Sequence, residues 1–278
     1  MEKLKSVKGI DYSSDIRKLQ RQKTNLLKSI YNQLSPWQIV EVARHPQRPL
    51  LFDYIENIFK EFIELKGDRC FGDDKTIVTG FAHIGRHQVM LVGQNKGRTT
   101  EEKIKCNFGC AHPEGYRKAL LKMKLAEKFK LPIVTIIDTP GAYPGIGAEE
   151  RGQASAIAYN LREMSRLKVP ILSIIIGEGG SGGALGIGVS DKLAMLQYSY
   201  FSVISPEGCA AILGKKSEES NDIQDAAKAL KLTSKELHKR NLVDDVIDEP
   251  LGGAQRNPYE LFKSVEKYIV RTLTNLKR

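Results

Sequence analysis

The rhythm of hydrophobic and polar positions changes twice along this chain. Residues 14 to 33, SDIRKLQRQKTNLLKSIYNQ, carry apolar side chains at helical spacing on a heavily charged background, which predicts an exposed amphipathic helix. Ser35-Pro36 supplies an N-cap followed by proline at the first helical position, starting a helix over SPWQIVEVARH. Asp53 to Leu65 reads as another helix, stopped by Gly67. From Thr76 the pattern becomes that of strands: TIVTGFAHI and HQVMLVGQ, joined by a turn at Gly85-Arg86. Pro113 to Lys130 is predicted helical, LPIVTIIDTP a buried strand, Ala148 to Leu167 a helix and VPILSIIIGEGG a second buried strand. SGGALGIGVS reads as a short helix and KLAMLQYSYFSVIS as a strand. Residues 206 to 240 read as helices, VDDVID as a strand, and Pro258 to Leu276 as a closing helix.

Continuous apolar runs such as IVTIID and ILSIII predict a sheet covered on both faces. Helices, then repeated strand–strand–helix and strand–helix units, then helices again predict one α/β domain with an N-terminal helical extension. The extension is expected over residues 1–66 and the α/β domain over 67–278.

The chemistry concentrates in glycine. The stretch Ile171 to Gly188, ILSIIIGEGGSGGALGIG, joins a buried strand to a small-residue helix through five glycines in seven residues. Glycine lets backbone approach a ligand closely. A helix start also leaves N–H groups free to meet negative charge. A second corner of this kind, IIDTPGAYPGIGAEERGQ (Ile136 to Gln153), lies about one βα unit upstream.

Three functional patterns overlap on the first corner. Gly177-x-Gly179-x-x-Gly182 matches a dinucleotide fingerprint, but the following helix is too short and no acidic residue ends the next strand. Gly179-x-Ser181-x-Gly183 matches the nucleophile elbow of serine hydrolases, whose serine needs a base. The one histidine downstream is His238, in the charged segment SKELHKRN. The third pattern is an oxyanion hole made from backbone N–H groups, which needs glycines and no catalytic side chain. A purely structural reading, in which the glycines allow tight helix–sheet packing, stands beside these three.

Composition changes this picture little. Apolar residues make up 41% and charged residues 27%, ordinary for a globular protein. No apolar run reaches 18 residues, and the opening MEKLKSVKGIDYSSDIRKLQ has no apolar signal core. No membrane span is therefore expected, and the location expected is cytoplasmic. The net charge of +10 suits nucleic acid or phosphorylated and carboxylated small molecules. That charge is spread along the chain, and its densest run, KGRTTEEKIK, holds two glutamates and no aromatic residue, so dedicated nucleic-acid binding is not expected. Cys70, Cys106, Cys110 and Cys209 are expected as reduced thiols. Cys106, Cys110 and His112 lack a second ligand pair at zinc-site spacing, so no metal site is expected.

A longer series of segments is more specific than any glycine motif. ARHPQRP, GDRCFGDDKTIV, KGRTTEEKIKCNFG, PEGYRKAL, IDTPGAYPGIGAEERGQ, NLREMSRLKVP, GEGGSGGALGIGVSDK, MLQYSYFSVISPEGCAAIL and EPLGGAQRNP occur in that order. In these the chain closely resembles the α-subunit family of bacterial acetyl-CoA carboxylase carboxyltransferases, over about residues 35 to 260. The resemblance implies a ClpP/crotonase-like fold, a superhelix of ββα units. It implies transfer of a carboxyl group from carboxybiotin to acetyl-CoA, giving malonyl-CoA, the committed step of fatty-acid synthesis. It also implies an α2β2 assembly with a β subunit that carries its own zinc ribbon. Biotin would arrive on a biotin carboxyl carrier protein, charged by a biotin carboxylase using ATP, with no cofactor bound covalently here.

Carried over by motif, the N–H groups of Gly182 and Gly183 would stabilise the biotin oxyanion, with Gly179 and Gly180 beside them. Gly141, Ala142, Tyr143, Pro144 and Gly145 would shape the opposite wall, and packing accounts equally well for Tyr143. Glu149, Glu150 and Arg151 fit cap and salt-bridge roles as well as ligand roles. The family often has alanine where this chain has Gly186. The alternative activity is a serine hydrolase or peptidase of related fold using Ser181.

Overall fold

The computed structural model describes residues 12–213 and 220–276. The first eleven residues of the predicted N-terminal extension and part of the helical stretch expected over 206–240 lie outside the described residues. The chain divides into two units, residues 1–35 and 36–278. The first holds helix α1 (Ser13–Tyr31), none of whose side chains is buried.

The second unit opens with helices α2 (Pro36–Ala43) and α3 (Leu51–Ile58). The helix expected over 53–65 ends at Ile58, and Lys60–Glu64 forms strand β1, antiparallel to β2 (Ile77–Ile84). Helical spacing in this stretch loses to the open edge of β2, whose N–H and C=O groups need partners. The pairing carries on past β1, with Leu65 N–H donating to Thr79 O at 2.7 Å. Residues 36–66 thus supply two helices and an edge strand to the second unit.

Strand β3 (His87–Gln94) returns along β2 through a two-residue turn. Gly85 there takes φ +54°, the left-handed value that such hairpin turns require. Helix α4 (Thr100–Lys105) is started by a capping box between Thr99 and Glu102. Helix α5 (Pro113–Lys128), with proline in its first turn, crosses to β4 (Ile133–Thr139). The helix expected over 148–167 is broken at Gly152, φ +82°, into α6 (Ile146–Glu150) and α7 (Gln153–Met164). Strand β5 (Ile171–Gly180) then leads into α8 (Ser181–Gly188).

The single strand expected over 192–205 is two: β6 (Lys192–Leu196) and β7 (Tyr200–Ser202). They pair with different halves of the long β5, β6 along Leu172–Ile175 and β7 along Glu178–Gly180. Helices α9 (Pro206–Ile212), α10 (Ser220–Leu230) and α11 (Ser234–Lys239), strand β8 (Asp245–Ile247) and helix α12 (Pro258–Leu276) complete the chain.

The sheet runs β1-β2-β3-β4-β5-β6-β8, parallel from β3 onward, with β7 added to β5. Alternation along each strand divides the core between the two faces. Val134, Ile136, Leu172 and Ile174 meet α3 and α12 on one side. Ile133, Ile137, Ile171 and Ile175 meet α5, α7 and α8 on the other. Buried Arg48 spans into this core, paired with Glu249 at 2.6 Å and donating to Ile176 O at 2.8 Å. Among the described residues no helix is long and apolar enough to cross a membrane.

Candidate functional site

Parallel pairing of β4 with β5 puts the two glycine corners side by side, with Thr139 opposite Gly179. The corners touch through main chain. A β-carbon at Gly180 would lie 2.1 Å from Pro140 O, so only glycine fits there. A β-carbon at Gly183 would lie 2.4 Å from the carbonyl carbon of the Gly141–Ala142 peptide. The structure therefore brings Gly180 and Gly183 against the main chain of Pro140, Gly141 and Ala142, with Gly179 and Gly182 as their chain neighbours.

Helix α8 begins without any side-chain cap. Its first residues, Ser181, Gly182 and Gly183, carry N–H groups that have no partner within the helix. Gly183 is buried and Gly182 half-buried, so one donor sits at the surface and the next just beneath it. Two adjacent N–H groups at a helix start can hold an oxygen whose negative charge grows during a reaction, each worth a few kcal/mol.

The wall formed by 141–145 is built on a different footing. The Tyr143 ring stacks on the His112 ring at 4.2 Å between centroids and lies against Gly145. Arg151 bonds Glu114 at 2.5 Å and sits over the Phe71 ring at 4.5 Å. It thus takes a salt-bridge role, as the sequence allowed.

Three buried amide side chains hold the corners by their carbonyls. Gln94 Nε2 donates to Gly183 O at 2.9 Å. Gln153 Nε2 donates to Ala111 O and Tyr143 O at 2.8 and 3.0 Å. Asn160 Nδ2 donates to Tyr116 O and Gly186 O, both at 2.8 Å. Below them lies a charged cluster. Lys96 Nζ is 2.7 Å from Asp138 and also pairs with Glu178, while Arg44 joins Glu178 at 2.6 Å and Glu207 at 2.5 Å. Tyr200 OH donates to Glu178 at 2.6 Å. Burial opposes ionisation of Glu178, yet Lys96 and Arg44 outweigh it and hold the carboxyl at about 2. A cavity of 130 Å³ lined in part by Arg44, Arg48, Lys96, Asp138 and Glu178 adjoins this cluster.

Sequence reasoning missed Gln94, Lys96, Asp138, Glu178, Gln153 and Asn160. A signal was present: Asp138 and Glu178 are acidic residues near the ends of largely apolar strands, inside the two glycine corners. Ser181 has no histidine partner among the described residues. His238 bonds Val243 O at 3.2 Å and His112 packs on Tyr143, so the nucleophile-elbow reading finds no base.

A family profile described as acetyl co-enzyme A carboxylase carboxyltransferase-like matches residues 1–278. The acetyl-coenzyme A carboxylase carboxyl transferase subunit alpha of Rhodopirellula baltica is 54% identical over 267 residues, 96% of this chain and 83% of that one. The subunit of the same name from Haemophilus ducreyi is 56% identical over the same shares. Among solved structures, transcarboxylase 12S superposes with a TM-score of 0.60 at 22% identity over 78% of this chain. The P. aeruginosa geranyl-CoA carboxylase beta subunit does so with 0.61 at 17% over 87%. This chain spans 41% and 45% of those two chains. The likeness to them is one of fold, the crotonase-like fold.

Proposed function

The chain belongs to the acetyl co-enzyme A carboxylase carboxyltransferase family, as an α-subunit-type carboxyltransferase, and from that premise we propose that its two glycine corners form the biotin-facing half of an active site. The single observation that carries this assignment is the uncapped start of α8, packed through Gly183 onto the Gly141 peptide. Carboxybiotin, a substrate presented by a carrier protein, leaves negative charge on its ureido oxygen when the carboxyl group departs. The N–H groups of Gly182 and Gly183 donate to that oxygen and strengthen as the charge grows, which lowers the barrier without tightening ground-state binding. The released biotin nitrogen takes the methyl proton of acetyl-CoA, and the resulting enolate captures the carboxyl group as malonyl-CoA.

The second oxyanion site, for the thioester, comes from a β subunit. Exposed apolar side chains flank the corner in support of such a cover: Ile146, next to Gly145, is 79% exposed and Leu185, two residues beyond Gly183, is 42% exposed. An α2β2 assembly, a biotin carboxyl carrier protein and a biotin carboxylase complete the reaction, which supplies malonyl-CoA to fatty-acid synthesis in the cytoplasm. The test is carboxyl transfer from malonyl-CoA to free biotin, with and without the β subunit. Activity in the assembled complex alone is expected; a silent complex would remove the assignment.

A further inference from the structure

Glycines give a Gly-Ser-Gly-Gly turn almost no side-chain packing of its own, so the place of the first turn of α8 is held by contacts from elsewhere in the fold. The end of strand β3 is placed to do this. Gln94, its last residue, is fully buried and 89 residues from Gly183 along the chain. The two ends of its amide do different work. Nε2 donates to Gly183 O at 2.9 Å, and Oε1 accepts the Asp138 N–H at 3.1 Å. Donor and acceptor ends are chemically distinct, so one amide ties the first turn of α8 to the end of β4 in a single orientation.

Two residues further on, Lys96 bridges Asp138 and Glu178, and Asp138 Oδ1 also accepts the Glu178 N–H at 2.9 Å. These two carboxylates stand immediately before the turns that the corners make. Lys96 therefore holds β4 and β5 in step, while Gln94 anchors the peptide that follows Gly183, directly after the two N–H groups of the site, and so fixes the first turn of α8 as a unit.

The geometry points to Gln94 as the positioning residue of the oxyanion corner, acting through the Gly183 carbonyl, with Lys96 holding the strand ends beneath it. This inference rests on the functional reading above and assigns that site its orienting group. A misplacement approaching 1 Å in such a site costs up to about 100-fold in rate.

The test uses the assembled complex carrying Gln94→Met, which keeps the length and loses both bonds, or Gln94→Leu, which loses both bonds in a shorter side chain. Both variants are expected to lower kcat about 10- to 100-fold, with KM for biotin and malonyl-CoA within about twofold. Hydrogen exchange over residues 179–188 is expected to rise about tenfold in both. Wild-type kcat, a change confined to KM, or unchanged exchange would overturn the assignment. Failure of both variants to assemble would make Gln94 a folding residue and overturn it too. A silent wild-type complex would instead count against the functional reading, and the exchange measurement would still decide whether Gln94 orders the turn.

Discussion

A β-carbon on Gly183 would lie 2.4 Å from the carbonyl carbon of Gly141, closer than side chains approach main chain, whereas one on Gly182 would meet only Ile157 at 3.5 Å. The two neighbouring glycines therefore have different requirements. Gly183 is needed for a close approach between corners, and Gly182 for its peptide group alone. Gly183→Ala is expected to lower kcat of the assembled complex at least ~100-fold, the scale of losing an oxyanion donor. Gly182→Ala keeps its N–H and should stay within about threefold, with an unchanged Tm. Reverse transfer and thermal melts on both variants distinguish these outcomes; equal losses would refute the distinction.

Ser181 sits at φ +48°, in the left-handed region. An L-residue there gives up about 1 kcal/mol that glycine recovers. If the serine contributes only its main chain, Ser181→Gly should retain transfer within about threefold and melt no lower than the parent. A serine nucleophile would behave differently, with a loss of about 10⁴-fold or more and covalent labelling of the parent by a fluorophosphonate.

Glu178 links the charged cluster to acid stability. Its carboxyl is held at about 2 in the folded protein against an ordinary value of 4.5, because Lys96 and Arg44 overcome the effect of burial. A lowered folded value means stability that is present above pH 4.5 and lost as pH falls from there through 2, about 3 kcal/mol in all. Melts of the parent should therefore fall steeply between pH 5 and 2. Glu178→Gln should start lower at neutral pH and show the shallower slope, and parallel slopes would show that the ion pairs contribute nothing. Asp68, also held at about 2, contributes equally to both curves.

Gly186 lies inside helix α8, where alanine would ordinarily be preferred, and its surroundings favour glycine. A β-carbon there would be 2.5 Å from Cε1 of the buried Tyr116 ring. Alanine would gain about 1 kcal/mol of helix propensity, but crowding a packed ring costs about 1–3 kcal/mol. Gly186→Ala is thus expected to lower Tm by a few degrees, and a higher Tm would show that the ring yields freely.

How much of this was legible in the sequence follows from range. The hairpin at Gly85, the buried strands β4 and β5 and the uncapped helix after Gly180 are local, and their residues declare them. Strand β1 was not legible, because Lys60–Glu64 is charged and becomes a strand only against the open edge of β2. The division into β6 and β7 depends on β5 being long enough to pair with both. The glycines of the site could be named from their spacing, but the amides that orient them could not. A glutamine at the end of a strand is ordinary until the fold sets it beneath a helix start 89 residues away.

A reacting centre made of peptide groups offers almost nothing to truncate. Gln94, Gln153 and Asn160 lie between 26 and 89 residues from the carbonyls at Gly183, Ala111 and Gly186 that they hold. Inherited loss of activity would therefore map to scattered, unreactive positions. A search for essential side chains would return the scaffold and miss the atoms where charge appears.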